Sequence, residues 1–207
     1  VLVIHIPIAL TALLTPLLHL PAMLLPIHIV LLELIVDPTC SIIFERQPAE
    51  RDIMSNPPRS PRAPLMSWPL LIKSVLQGLT ILGAGLGAYV WMIEHHYAVE
   101  NARTLALTVL VIANLFLVFV NQSNRDFALP ALFRLDRVVL GINLAIFAII
   151  ALLVYVPAGN AMAKLRPLTL NELAVAAVLA FAATYWWELV KVCGRFCRRP
   201  VPTDLRS

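Results

Sequence analysis

Residues 24–44 read LLPIHIVLLELIVDPTCSIIF, an apolar run interrupted by two acids, Glu33 and Asp37. A helix of about 20 apolar residues matches the hydrocarbon core of a bilayer. Because no water is available there, the backbone of such a run satisfies its hydrogen bonds internally only as a helix. The stretch therefore predicts a transmembrane helix that carries two carboxyl groups inside the membrane.

The rest of the chain is also strongly apolar. Of its 207 residues, 60% are hydrophobic and 14% are charged, and the mean hydropathy is +0.84. Soluble domains are about half apolar and a quarter charged. The excess predicts an all-α membrane protein, a bundle of about six transmembrane helices within residues 1–191. The predicted spans are 1–20, 24–44, 68–93, 104–120, 138–156 and 170–190.

The basic residues indicate how the chain is oriented. Twelve Lys and Arg lie on one side of the predicted spans, and three lie on the other: Arg103, Lys164 and Arg166. The positive-inside rule makes the richer side cytoplasmic. We therefore expect residues 45–67 to form a cytoplasmic loop and residues 192–207 a basic cytoplasmic tail.

Two other kinds of function are not expected from the sequence. No basic stripe is interleaved with aromatic residues, so nucleic acid is not an expected partner. The three cysteines form neither a disulfide framework nor a zinc motif.

The two acids of the second span are the strongest candidates for chemistry. Glu33 and Asp37 are four residues apart and share a helical face. Each costs about 2.5–3.5 kcal/mol at the bilayer centre, and two neighbouring carboxylates repel unless a proton or cation lies between them. Hard cations prefer such oxygen ligands. Pro38 is expected to unwind the helix here and free backbone carbonyls as further ligands. The alternative is that both acids only pair with a neighbouring helix or lie near the interface.

Two further residues are weaker candidates for cation ligands. His5 in the first span can titrate or bind a metal, although it can equally be a packed histidine near a proline kink. Asn114 in the fourth span can ligate an ion or make a single hydrogen bond between helices.

Small residues in the third span predict close helix packing. Gly83 and Gly87 form a G-x-x-x-G motif, and Gly85 lies between them. Such residues allow the backbones of membrane helices to approach one another.

Three motifs in residues 24–59 give the chain a resemblance to a known family. They are LLPIHIVLLELIVDP, FERQPAERDIM and NPPR, and they resemble the sixth membrane helix of P-type cation ATPases and the cytoplasmic loop after it. In the calcium-pump branch, D-I-M follows the aspartate of N-L-V-T-D-G by fifteen residues. Here Asp52-Ile53-Met54 begins fifteen residues after Asp37. The resemblance covers the chain as membrane helices five to ten, with specific motifs over residues 1–66.

The resemblance implies roles for individual residues. Asp37 matches the cation-ligand aspartate, Glu33 occupies the position of an asparagine ligand, and His5 falls at an asparagine ligand of the preceding helix. Ile8 and Leu110 stand where the calcium pump has glutamates. The resemblance therefore implies one cation site, or proton transport, rather than the two-calcium arrangement.

The resemblance also implies a longer parent enzyme. Such a pump uses ATP and magnesium and forms an aspartyl-phosphate at a D-K-T-G motif, which this chain lacks. The expected partners are the transported cation (calcium, another metal ion or a proton), the upstream ATPase domains and the lipid bilayer. The expected location is a bacterial plasma membrane, and we expect the chain to be a fragment cut at its N-terminus. The alternatives are a non-catalytic membrane subunit, a decayed pump fragment, or a proton-coupled secondary transporter that uses Glu33, Asp37 and His5.

Overall fold

The computed structural model describes residues 2–45, 68–121 and 137–197. Every regular element in these ranges is an α-helix, as expected for an all-α membrane protein. The helices are α1 (Leu2–Leu17), α2 (Pro26–Glu45), α3 (Trp68–Glu94), α4 (Val99–Asn121), α5 (Arg137–Tyr155), α6 (Pro157–Ala163) and α7 (Leu170–Cys197). Residues 46–67, 122–136 and 198–207, which include most of the predicted cytoplasmic loop and tail, lie outside the described ranges.

Three helices are long and apolar enough to cross a membrane. They run over Trp68–Glu94, Val99–Val118 and Leu170–Val190, and the bent pair α5–α6 makes a fourth if it is counted as one span. In the described residues, Leu2–Leu17 and Pro26–Ile35 are shorter apolar helices. The structure therefore supports a helical membrane protein with three or four spans, and the count of six stays a prediction.

Helix α4 forms the centre of the bundle. Residues 102–115 are all buried, and Ala102, Ala106, Val109 and Ala113 are 0% exposed. Small side chains at this spacing allow neighbouring helices to approach closely. Helices α3 and α7 pack against α4, α1 packs against α3, and α2 makes lighter contacts with α4 and α5.

The glycines of α3 show which of its faces packs tightly. A Cβ on Gly78 would lie 2.9 Å from the Cβ of Ile6 in α1, and one on Gly85 would lie 3.3 Å from a leucine of α4. Gly83 and Gly87 have nothing within 4 Å of that position. Close packing is therefore confirmed at Gly85, but the expected G-x-x-x-G contact is wrong, because its two glycines lie on the open face of the helix.

A sharp bend separates α5 from α6. Val156 is extended, with φ −87° and ψ 128°, as a residue before proline prefers. The chain then turns by 84° into a helix that begins at Pro157. A Cβ on Gly159 would lie 2.9 Å from the carbonyl oxygen of Leu152, so a larger residue would not fit inside the bend. Helix α6 lies between the predicted spans 138–156 and 170–190, where no helix was predicted.

The connections 18–25, 95–98 and 164–169 lie together at one end of the bundle, which we call the hairpin end. Helix α1 ends there with His19 in the left-handed region (φ 54°), and the N–H of Leu20 donates to the carbonyl of Thr15 at 3.0 Å. His96 and Lys164 end α3 and α6 in the same conformation. A left-handed residue at this position closes a helix by pairing its last carbonyls.

Candidate cation-binding site

Two of the predicted site residues meet between α1 and α2. His5 lies in the second turn of α1, and Glu33 lies 28 residues later on α2. The connection 18–25 reverses the chain between them. The Nε2 atom of His5 lies 3.0 Å from Oε2 of Glu33, and the two side chains are 38% and 35% exposed.

This pair joins two groups that both exchange protons and both bind cations. A protonated His5 forms an ion pair with the carboxylate, and a neutral one forms a hydrogen bond with it. Imidazole nitrogen and carboxylate oxygen are both metal ligands. A cation that replaces the proton between them would find one ligand on each helix.

Asp37 follows Glu33 by one helical turn. The backbone of α2 is helical throughout Pro26–Glu45, so the spacing that places the two acids on one face is kept. The side chain of Asp37 is outside the described part of the structure, and the prediction that the two carboxyl groups share a cation stays a prediction.

The helix is continuous at Pro38, so the expected unwinding at this residue is wrong. A proline removes one backbone donor, and the surrounding turns stay helical. Helix α1 likewise continues through Pro7 and Pro16. Because Pro38 has no N–H, the carbonyl of Leu34 lacks its usual intrahelical donor, but the backbone around it is not unwound.

Asn114 lies apart from the pair in the described contacts. It is buried in α4, with 8% of its side chain exposed, and no described contact joins it to His5 or Glu33. Within the described residues no group of three or more His, Cys, Asp or Glu side chains is placed to hold a metal. The assignment of Asn114 as a cation ligand stays a prediction.

Ile8 and Leu110, the two positions at which the resemblance implied glutamates in the calcium pump, lie inside the bundle. Ile8 is 7% exposed and Leu110 is 2% exposed. Neither side chain offers an oxygen ligand, and Leu110 instead packs against Gly85.

Sequence reasoning missed a second polar group. It used Arg103 only as an indicator of orientation and gave His28 no role, yet both are buried at the hairpin end, 6% and 0% exposed. The sequence signal was weak, because Arg103 immediately precedes the predicted span 104–120, where an arginine can reach water. The partners themselves are backbone carbonyls, which no sequence motif marks.

Comparison with known proteins assigns most of the chain to a family. Residues 21–193 match the family model described as "Cation transporting ATPase, C-terminus". Two named relatives are the probable cation-transporting ATPase F of Mycobacterium tuberculosis, 24% identical over 72% of this chain, and the calcium-transporting ATPase type 2C member 2 of Rattus norvegicus, 26% identical over 87%.

The matched region is a small part of each relative. The chain covers 16% of the mycobacterial protein and 19% of the rat protein. The family match, in contrast, extends from the α1–α2 connection to the last described turns of α7. On this evidence the chain belongs to the family of cation-transporting ATPase C-terminal regions.

Proposed function

We propose that Glu33 and His5, together with Asp37, bind the transported cation in the membrane part of an ATP-driven cation pump. The observation that supports this most strongly is the 3.0 Å contact between His5 and Glu33. It places a carboxyl group and an imidazole from two different helices in one place. A ligand from each helix is what a pump requires if movement of one helix against the other is to change its affinity for the cation.

The exposure of the pair supports a site that other membrane helices complete. About a third of each side chain is exposed in this chain, and a carboxylate in contact with lipid would be unfavourable by about 2.5–3.5 kcal/mol near the bilayer centre. The curated relatives are more than five times as long as the region they share with this chain. We infer that membrane helices outside this chain cover the pair and add further ligands.

The energy source would lie outside this chain. ATP and magnesium would bind to the upstream domains, where an aspartate would be phosphorylated, and the loop 45–67 would transmit the change to α2. The basic loops favour a cytoplasmic C-terminus, and a bacterial plasma membrane is the proposed location. The relatives' names point to calcium or another metal ion as the cargo, and His5 adds a proton as a candidate.

The test measures vanadate-sensitive ATP hydrolysis by the complete gene product in membrane vesicles. Hydrolysis is followed with Ca²⁺, Mn²⁺, Na⁺ or K⁺ added singly over a range of concentrations and at several pH values. We expect one of these ions, or protons, to stimulate the wild-type protein. Glu33→Gln should lower this stimulation at least tenfold, because the substitution keeps the shape of the side chain and removes its charge.

Glu172→Gln is the matched control. Glu172 is a partly exposed acid that accepts the backbone N–H of Thr169 at 2.6 Å and caps the start of α7, a role that glutamine can also fill. The control should keep wild-type stimulation. Full stimulation in Glu33→Gln, or a wild-type protein that no cation or proton stimulates, would contradict the proposed function.

A further inference from the structure

Three side chains at the hairpin end converge on backbone carbonyls of the α1–α2 connection (18–25) and of residues 157–169, which we call the α6–α7 segment. Arg103 from α4, His28 from α2 and Tyr89 from α3 donate to carbonyl oxygens of the α1–α2 connection and of the α6–α7 segment. We call these three side chains and their four acceptors the clasp. The acceptors are the carbonyls of Pro21, Ala22, Ala163 and Lys164.

Arg103 joins the two connections directly. Its Nε and Nη2 donate to the carbonyl of Ala22 at 3.3 and 3.0 Å, and its Nη1 donates to the carbonyl of Lys164 at 3.1 Å. None of these acceptors is a carboxylate. The planar guanidinium holds several donors in a fixed arrangement, so it fixes the separation of the two backbones in a way that a flexible ammonium group would not.

His28 makes a parallel link from α2. The N–H of Leu25 donates to Nδ1 of His28 at 3.2 Å, so the ring proton is on Nε2, which donates to the carbonyl of Ala163 at 2.7 Å. The imidazole thus uses one nitrogen to close the start of its own helix and the other to hold the end of α6. The ring is completely buried.

Two further bonds extend these links to α3 and α4. The hydroxyl of Tyr89 donates to the carbonyl of Pro21 at 2.8 Å, and the N–H of Arg166 donates to the hydroxyl of Thr104 at 2.9 Å. Met23, which lies inside this arrangement, is 0% exposed. Arg103, His28 and Tyr89 thus each donate to a backbone carbonyl outside their own helix.

The clasp is close to Glu33 along the same helix. His28 and Glu33 are five residues apart, a rise of roughly 7.5 Å along α2. They lie on different faces, because His28 reaches α6 and Glu33 reaches α1. In the described residues, α2 is therefore attached to α6 through His28 and to α1 through Glu33.

We propose that Arg103 and His28 are positioning residues: they fasten the α1–α2 connection to the α6–α7 segment and so hold Glu33 at a fixed place beside His5. This role rests on the proposed function of the His5–Glu33 pair. The clasp itself is a structural arrangement that can be tested without any transport measurement.

The first experiment measures the distance across the clasp. Spin labels are attached to cysteines at Ala22 and Ala161, two exposed positions on the fastened segments, in a complete gene product whose native cysteines are replaced by serine. The wild-type distance distribution should be narrow. Arg103→Met and His28→Leu should each broaden it or shift it, whereas His28→Gln, which keeps a donor for Ala163, should restore most of the narrow peak.

Arg166→Gln is the matched control, since it also removes one positive charge at the hairpin end. The Arg166 side chain is exposed, and its backbone bond to Thr104 is unaffected. The control should leave the distribution narrow. Unchanged distributions in both Arg103→Met and His28→Leu would overturn the clasp.

The second experiment measures the cation concentration that half-saturates ATP hydrolysis, with whichever ion of the panel Ca²⁺, Mn²⁺, Na⁺ and K⁺ stimulates the wild type most. We expect His28→Leu to raise this concentration three- to tenfold with a smaller effect on the maximal rate, and His28→Gln to reverse most of the change. An unchanged half-saturating concentration together with a broadened distance distribution would overturn the positioning role. A wild type without cation stimulation would overturn the proposed function, and the distance measurement would still decide on the clasp.

Discussion

The clasp and the His5–Glu33 pair are both polar groups in an apolar bundle, but they are built differently. In the clasp, side-chain donors meet backbone carbonyls, and Arg103 and His28 are almost completely buried. In the pair, two titratable side chains meet each other and are about one-third exposed. The acceptors of the clasp are backbone carbonyls, whereas the acceptor of the pair is a carboxylate, a group that hard cations prefer as a ligand.

This difference separates a structural task from a functional one. Polar groups that stay paired under all conditions add stability and fix geometry. Groups that must release a cation need partners that can be exchanged, and some access for the ion. Each region has one residue on α2, His28 in the clasp and Glu33 in the pair. We therefore expect substitutions in the clasp to lower stability and to weaken cation binding moderately, and substitutions in the pair to act mainly on cation binding.

The largest expected effect on stability is that of Arg103→Met. The substitution removes three hydrogen bonds that the buried guanidinium donates to the carbonyls of Ala22 and Lys164, and because hydrogen bonds from charged groups are the stronger ones, we expect the free energy of unfolding to fall by about 3 kcal/mol. Thermal unfolding of the purified protein in detergent, followed by tryptophan fluorescence, measures this. Arg166→Gln should stay within about 0.5 kcal/mol of the wild type. Equal melting temperatures for Arg103→Met and the wild type would remove the distinction between the two regions.

A smaller effect is expected where α3 packs against α1 beside His5. Gly78→Ala places a Cβ 2.9 Å from Ile6, the residue next to His5, and 3.0 Å from the carbonyl of Val3. We expect a loss of about 1–3 kcal/mol, because α1 must move away from α3. The same melting experiment measures it. Gly83→Ala is the matched control, since its Cβ meets nothing within 4 Å; a loss as large as that of Gly78→Ala would show that the close approach is not the cause.

The smallest effect is expected for Tyr89→Phe, which removes only the hydroxyl that donates to Pro21. The loss should be about 1 kcal/mol, because the ring still fills its buried position. The melting temperature should lie between those of the wild type and Arg103→Met. A loss as large as that of Arg103→Met would mean that the guanidinium is not the main element of the clasp.

The helical membrane architecture could be predicted because it follows from hydropathy and length. Residues 68–93 were expected as a span, and α3 runs over Trp68–Glu94. Helix α6 could not be predicted, since it is a single short helix set by the bend at Pro157 and the close approach at Gly159. Hydropathy averages over windows that are longer than this element.

The candidate site was partly predictable for a similar reason. Ionisable residues in apolar spans are conspicuous, and this pointed to His5 and Glu33 before their contact was known. The packing of α3 was less accessible, because the G-x-x-x-G pattern is the same whether its face meets a helix or lipid. The acceptors of Arg103 are carbonyl groups that every residue possesses, so only the fold shows which ones converge.

The central claim is that Glu33 belongs to a cation-binding site, and cation-dependent stability tests it most directly. The melting temperature of the complete gene product is measured with and without each ion of the panel Ca²⁺, Mn²⁺, Na⁺ and K⁺. An ion at about 100 times its dissociation constant should stabilise the wild type by about 2.7 kcal/mol. We predict that Glu33→Gln abolishes this increase while Glu172→Gln keeps it; full stabilisation of Glu33→Gln by the same ion at the same concentration would contradict the account.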